Sequence, residues 1–233
     1  MNRVRRATIL LLCLAAAGCT RTSGDVAVTA STTTTSPVET TVTATVTSTA
    51  ERIPTTNPPP GIAETTHTEL PPDAVTCAPT AAPAASITTQ VADPQAPRVT
   101  VAIPDGWTPG PATGDVGARL SGPNGMFATV TVSRTDLDPA AAFTEYADRI
   151  VARAAVSSVS ILPAELCDYS GQKLMGGWSN TPQDAVEYRD RLVHIWTAGP
   201  AYLVAVHVQA PGRTAEFDAA AAPLIADFGV RIP

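Results

Sequence analysis

The stretch AVEYRDRLVHIWTAGPAYLVAVHVQA, residues 185–210, decides the fold. It holds two runs rich in β-branched and aromatic residues, parted by a turn signal at Gly199-Pro200, and so predicts a long β-hairpin. Side chains alternate along a strand, which sets Val193, Ile195, Val204, Val206 and Val208 on one face, that of a main core. Asp190, His194, Trp196, His207 and Gln209 then share the other face. Pairing Ala198 with Ala201 would set His194 against Ala205 and Leu192 against His207. Two histidines on a diagonal near an aspartate make Asp190, His194 and His207 the one constellation with metal or acid–base potential. The plainer reading is a polar ridge on the less buried face, and it is preferred, because a slip of one residue in register would dissolve the set. Glu187, Arg189, Asp190 and Arg191 at the start of the hairpin read as solvated surface pairs, with partner recognition the lesser alternative.

Upstream of the hairpin the pattern predicts strands at "RVTVAI", "ARLS" and "FATVTVS", then at "VSSVSILPAELCDYSG" and "QKLMGGWS". Between these groups "LDPAAAFTEYADRIVARAA" reads as a helix, with Asp138 as N-cap and Pro139 at the first helical position. Phe143, Tyr146, Ala147, Ile150, Val151 and Ala154 form its apolar stripe. A final helix is expected over "TAEFDAAAAPLIADF", kinked or restarted at Pro223. The order β-β-β-α-β-β-β-β-α, with sequential hairpins, predicts an α+β fold: a twisted, mainly antiparallel sheet with flanking helices. Trp107 follows the turn Pro104-Asp105-Gly106 and should fold back to close the end of the sheet, with ligand stacking the lesser alternative.

No catalytic signature accompanies these elements. There is no Gly-x-Ser-x-Gly elbow, no Gly-x-Gly-x-x-Gly loop and no His-Glu-x-x-His metal pair. The sequence therefore predicts a domain that is not an enzyme and needs no cofactor.

The N-terminus addresses the chain. Arg3, Arg5 and Arg6 precede an apolar run from Ala7 to Ala17, shorter than the about 20 residues a spanning helix needs but suited to a secretory signal. Ala16-Ala17-Gly18 lead into Cys19, the pattern of a bacterial lipobox, so residues 1–18 read as a lipoprotein signal peptide and Cys19 as the lipidation site, with ordinary secretion and a free Cys19 thiol the alternative. Acyl chains on Cys19 would hold the protein to the bilayer. Loss of the signal removes three arginines and no acid, so the mature chain is more acidic than the formal charge of −6. That surface, with Lys173 as its lysine, argues against nucleic acid as a partner. Residues 19–85 form a Thr/Pro-rich stretch with 16 threonines between Thr29 and Thr68. It has too few large apolar side chains to offset the entropy of a packed core, and is expected to be a disordered stalk. Residues 86–233 are long enough for one core. Cys77 and Cys167 remain after processing in a compartment that permits disulfides. A bridge between them would close a loop of about 90 residues, for which the chain-entropy model gives roughly 4–5 kcal/mol; unpaired thiols or an intermolecular bridge are the alternatives.

Taken together, the lipobox, the stalk, "VTVAIPDGW", "DPAAAFTEYADRI" and "VAVHVQAPGRTAEFDAAAAPLIADFGV" resemble the LpqN/LpqT lipoprotein family of mycobacteria. The resemblance spans about residues 96–231, and its sharpest part is Ile103-Pro104-Asp105-Gly106-Trp107. It implies a Mog1/PsbP-like fold and a non-enzymatic accessory or binding module; Cys77 and Cys167 depart from the family pattern. The expectation is a lipoprotein anchored on the extracytoplasmic face of the cell membrane, docking onto envelope or host proteins. The alternative is a carrier for a small apolar ligand such as an envelope lipid, held in an apolar pocket between sheet and helix.

Overall fold

The computed structural model describes residues 60–63, 70–79 and 83–233. The signal peptide at 1–18, Cys19 and the stalk as far as residue 59 lie outside the described residues. Among the described residues, eleven strands and two α-helices form an α+β architecture with two antiparallel sheets.

The larger sheet has seven strands. β4 (Thr108–Gly110), β5 (Val116–Ser121) and β6 (Phe127–Thr135) occupy one side, and β7 (Val156–Pro163) and β8 (Ser170–Ser179) the other. Between them lie the two hairpin strands, β9 (Val186–Trp196) and β10 (Ala201–Pro211), in the order β4-β5-β6-β10-β9-β8-β7. The smaller sheet orders β1 (Val75–Cys77), β11 (Gly229–Arg231), β3 (Arg98–Ala102) and β2 (Ser86–Thr88). One sheet was expected. The short strands β1, β2, β4 and β11 carry three residues each, too few for alternation to reveal.

The hairpin forms as its alternation requires, but in a register two residues away from the expected one. Ala201 pairs with Trp196, Leu203 with His194, Ala205 with Leu192 and His207 with Asp190. A shift of two preserves the alternation, which is why the core valines still point together; Trp196, expected beside Asp190 and His194, instead packs at the strand end in the main core against Tyr169. Val193, Ile195, Val204, Val206 and Val208 join Val99, Leu120, Val130, Phe217, Leu224 and Phe228 in one buried cluster, between the large sheet and the layer made by the small sheet and α2 (Phe217–Ala221). A second cluster on the opposite face is made by α1 (Pro139–Val151) laying Ala142, Phe143, Ala147 and Ile150 over Leu174, Tyr188, Leu192, Leu203 and Ala205. Val151, read as part of that stripe, is exposed, and Ala154 falls beyond the helix.

Asp138 caps α1 as expected, its carboxylate accepting the Ala141 amide at 2.9 Å. The last helix is a correction: α2 ends at Ala221, and Leu224 and Ile225 follow in turns. Pro223 lacks the N–H that a continuing helix needs and clashes with the preceding turn. The turn before Trp107 forms with Gly106 at φ +78°, a conformation natural to glycine, and the Trp107 amide donates to the Pro104 carbonyl at 3.1 Å. Trp107 is buried against Gly122, closing the sheet end.

Structured chain reaches back past residue 86. Besides β1 and its pairing with β11, Pro60–Ala63 lies across the start of β8. The Pro60 and Gly61 carbonyls accept from Gln172 Nε2 and the Gly171 amide, each at 2.8 Å, and the Ala63 amide donates to Ser170 Oγ at 3.0 Å. Cys77 and Cys167 are joined in a disulfide with Cα atoms 5.9 Å apart, which ties β1 of the small sheet to the β7–β8 connection of the large one.

Candidate functional site

Of the three side chains singled out on the hairpin, the fold brings two together. Asp190 on β9 and His207 on β10 are directly opposed, and Oδ1 of the aspartate lies 2.6 Å from Nδ1 of the imidazole. Tyr146 on α1 donates its hydroxyl to the other carboxylate oxygen at 3.1 Å. His207 Nε2 meets the Gln209 side-chain carbonyl at 3.0 Å. His194 stands apart: it pairs across the ladder with Leu203 and Ser170, and its Nε2 lies 3.0 Å from the Leu137 carbonyl. Four residues along a strand separate it from Asp190 by about 13 Å at roughly 3.3 Å per residue. Among the described residues no group of three His, Cys, Asp or Glu side chains is placed to hold a metal ion.

Both nitrogens of His207 face oxygen acceptors, a geometry that the doubly protonated ring satisfies. Burial by itself would pull its pKa down, but the hydrogen bond and charge of Asp190, with the bond to Gln209, raise it above the ordinary histidine value. Tyr146 is pushed well above the usual phenol range, first by burial and then by the neighbouring carboxylate. Tyr188, beside the same aspartate, rises to about 12 for the same two reasons in the same order. The Tyr146–Asp190–His207–Gln209 chain is thus a saturated polar lock joining α1 to the hairpin, with each imidazole nitrogen already engaged. A groove of about 340 Å³ runs alongside it, walled by Tyr146 and Arg149 of α1 and by Arg153 just beyond the helix, and floored by Thr129 and Thr131 of β6 with Leu203 and Ala205 of β10. Its lining mixes hydroxyl and guanidinium groups with the apolar side chains of Ile150, Leu203 and Ala205.

The charged start of β9 is also a correction. Arg191 and Asp190 were read as solvated, yet Arg191 is 1% exposed and Asp190 fully buried. Arg191 Nη1 donates to the Ala164 carbonyl at 2.5 Å, and Nη2 to the Glu165 carbonyl at 3.0 Å and to Asp227 at 3.2 Å. It staples the β7–β8 connection to the segment before β11. Arg189 pairs with Asp218 of α2 at 2.6 Å, and Glu187 accepts the Arg213 amide at 2.8 Å. These partners lie 26–36 residues away, beyond what charge spacing along one strand can signal.

Sequence reading also missed the outer edge of the large sheet. β7 exposes Val156, Ile161 and Leu162, and a second groove of about 360 Å³ opens beside it, lined by Val156, Ser157, Trp178, Val186, Glu187 and Arg213 among others. The side-chain polar atoms Ser157 Oγ and Trp178 Nε1 are buried without a hydrogen-bond partner. The uncharged, apolar-and-serine composition of "VSSVSILP" was the available signal.

No protein-family model matches the chain, and no curated protein does so. Among solved structures it is similar to LpqN of Mycobacterium tuberculosis, described as involved in cell envelope biogenesis. The two share 17% identity at a TM-score of 0.51, over 64% of this chain and 91% of that one. At that identity the likeness speaks to architecture: the described chain carries an LpqN-like α+β fold.

Proposed function

We propose that this protein is a cell-envelope lipoprotein, anchored to the membrane through acylated Cys19, whose domain acts without catalysis by docking onto other envelope proteins or host proteins. The observation that carries the reading is the exposure of Val156, Ile161 and Leu162 along β7, on a domain whose Asp190–His207 pair is closed upon itself. Large apolar side chains exposed on both faces of one edge strand, Val156 and Leu162 on one and Ile161 on the other, support an interaction site. An envelope role is supported by the LpqN-like fold and by the lipobox ahead of Cys19. No helix among the described residues is long and apolar enough to cross a membrane, so a lipid on Cys19 would be the attachment.

The test is made on the full-length protein in intact cells. An alkyne fatty acid should label the protein and fail to label Cys19→Ala, which should move to the culture medium. Formaldehyde crosslinking before lysis should shift a substantial share of the chain into adducts with other proteins. Equal labelling of Cys19→Ala would overturn the anchor, and recovery of the bare chain alone would overturn docking.

A further inference from the structure

Arg149 closes the last turn of α1, and Arg153 follows in the turn beyond it, its amide bonded to the Ile150 carbonyl at 3.2 Å. Arg153 is exposed and makes no ion pair among the described residues, and Arg149 reaches Glu145 only at 3.9 Å. A basic side chain at a helix C-terminus complements the helix dipole, which explains either arginine alone. The dipole does not explain why both line one groove, on a chain whose formal charge is −6.

That groove, of about 340 Å³, is large enough for a small molecule. Three rungs of the β6–β10 ladder order its floor: Ser133 opposite Leu203, Thr131 opposite Ala205, and Thr129 opposite His207. Asp115, the carboxylate in the lining, belongs to the Ser133 end, where it accepts that hydroxyl at 3.3 Å. The arginines belong to the Thr129 end. Arg149 lies over the Tyr146 ring, 5.9 Å from its centre, and Tyr146 bonds Asp190, the partner of His207. The Arg153 charge acts on His207, Tyr146 and Tyr188, which all surround that aspartate. Four residues of β6, or about 13 Å, therefore separate the acid end from the cationic one. Asp190 and His207 balance each other beneath the cationic end, so the two guanidinium groups carry its charge.

We propose that this end of the groove binds the phosphate group of an organic phosphate, held by Arg149, Arg153 and the Thr129 hydroxyl, with the apolar part of the ligand lying over Ala205 toward Leu203. Guanidinium groups match phosphate oxygens through paired, charge-assisted hydrogen bonds. Two guanidinium groups and a hydroxyl supply donors from three side chains, which suits the several oxygens of a tetrahedral phosphate better than the two coplanar oxygens of a carboxylate. The apolar side chains in the lining select an ester over the inorganic ion. A phospholipid headgroup and a soluble phosphate ester present the same group. The site lies on the α1 side of the sheet and does not rest on the docking reading above.

The experiment titrates the full-length protein, held in a nonionic detergent, with phenyl phosphate and follows the heat of binding. Saturable binding is expected, weakened at least tenfold by Arg153→Gln and by Arg149→Gln, both exposed positions whose replacement spares the core. Arg98→Gln, on the smaller sheet, should leave it within twofold. Benzoate, which carries a carboxylate on the same ring, should bind at least tenfold more weakly than phenyl phosphate. The Arg153 charge holds the His207 pKa down, so a phosphate that masks it should move the titration of the His207 ring to higher pH. Doping the detergent with phosphatidylglycerol separates the two sources. A tenfold fall in apparent affinity for phenyl phosphate supports the site and identifies a lipid headgroup as its ligand, and an unchanged affinity supports it with a soluble ester. The absence of saturable binding, binding unmoved by Arg153→Gln, or benzoate bound as tightly as phenyl phosphate overturns the proposal.

Discussion

Asp190 shows how much one buried side chain can depend on its partners. Its carboxylate is fully buried and accepts from His207 and Tyr146, so Asp190→Asn or His207→Gln leaves an unmatched group in a dry interior. Breaking a buried pair by removing one member costs about 3–5 kcal/mol, and chemical denaturation of either variant should show a loss of that order. The pair also sets a pH dependence. His207 has a raised pKa in the folded state, so it binds its proton more tightly there than in the unfolded chain. Its contribution is complete below the ordinary histidine value near 6.5 and is lost as pH rises through the raised folded value. Thermal midpoints of the wild type and His207→Gln should therefore lie furthest apart in mild acid and converge toward alkaline pH; a gap that widens with pH would refute the assignment. Arg191 is the other residue whose role escaped local reading. Its guanidinium holds two backbone carbonyls and Asp227, which a methionine of similar length would leave unpaired. Arg191→Met should cost at least the roughly 1–3 kcal/mol of one unsatisfied buried group, measured by denaturant midpoint.

Among the elements, α1 and the hairpin were legible because their periods are strong. Asp138, Pro139 and the stripe through Phe143 and Ile150 state where the helix begins and which side it buries. Asp138→Ala should lower stability by about 1 kcal/mol through loss of the Ala141 bond, read as a fall in thermal midpoint. The hairpin faces were legible for the same reason, but the register was not. Alternation repeats every two residues, and a shift of two leaves the pattern unchanged. The register found brings His207 against Asp190 and closes the turn through Thr197 Oγ1, which bonds the Pro200 carbonyl and the Gly199 amide. In α2, local alanine-rich propensity suggested a helix longer than the one that forms, and the proline at 223 prevailed. β7 and β8 pack closely at Gly176, where any side chain would collide with the Ser158 carbonyl. Gly176→Ala should force the two strands apart and speed amide exchange along β7, a change visible before any loss of the whole fold.

At the scale of the molecule, the disulfide joins the two sheets. Cys77 and Cys167 are 90 residues apart, and a loop of that length is worth roughly 4–5 kcal/mol in the chain-entropy model. Cys77→Ser with Cys167→Ser, or reduction of the wild type, should lower the denaturation midpoint accordingly, and reduction should leave the double variant unchanged. The sequence by itself determined the antiparallel class, the core faces, the N-cap of α1 and the pairing candidates Cys77 and Cys167. These are properties of spacing, local conformation and residue chemistry, and each is written within a few residues or in a count. Tertiary structure alone decided that the described chain divides into two sheets, that Asp190 and His207 meet while His194 bonds the β6–α1 connection, that Arg191 is a buried staple, and that β7 ends the sheet with no partner strand among the described residues. Each of those depends on which distant segments come to lie side by side, and that is settled by the free energy of burying the whole set of faces together rather than by any one segment's pattern.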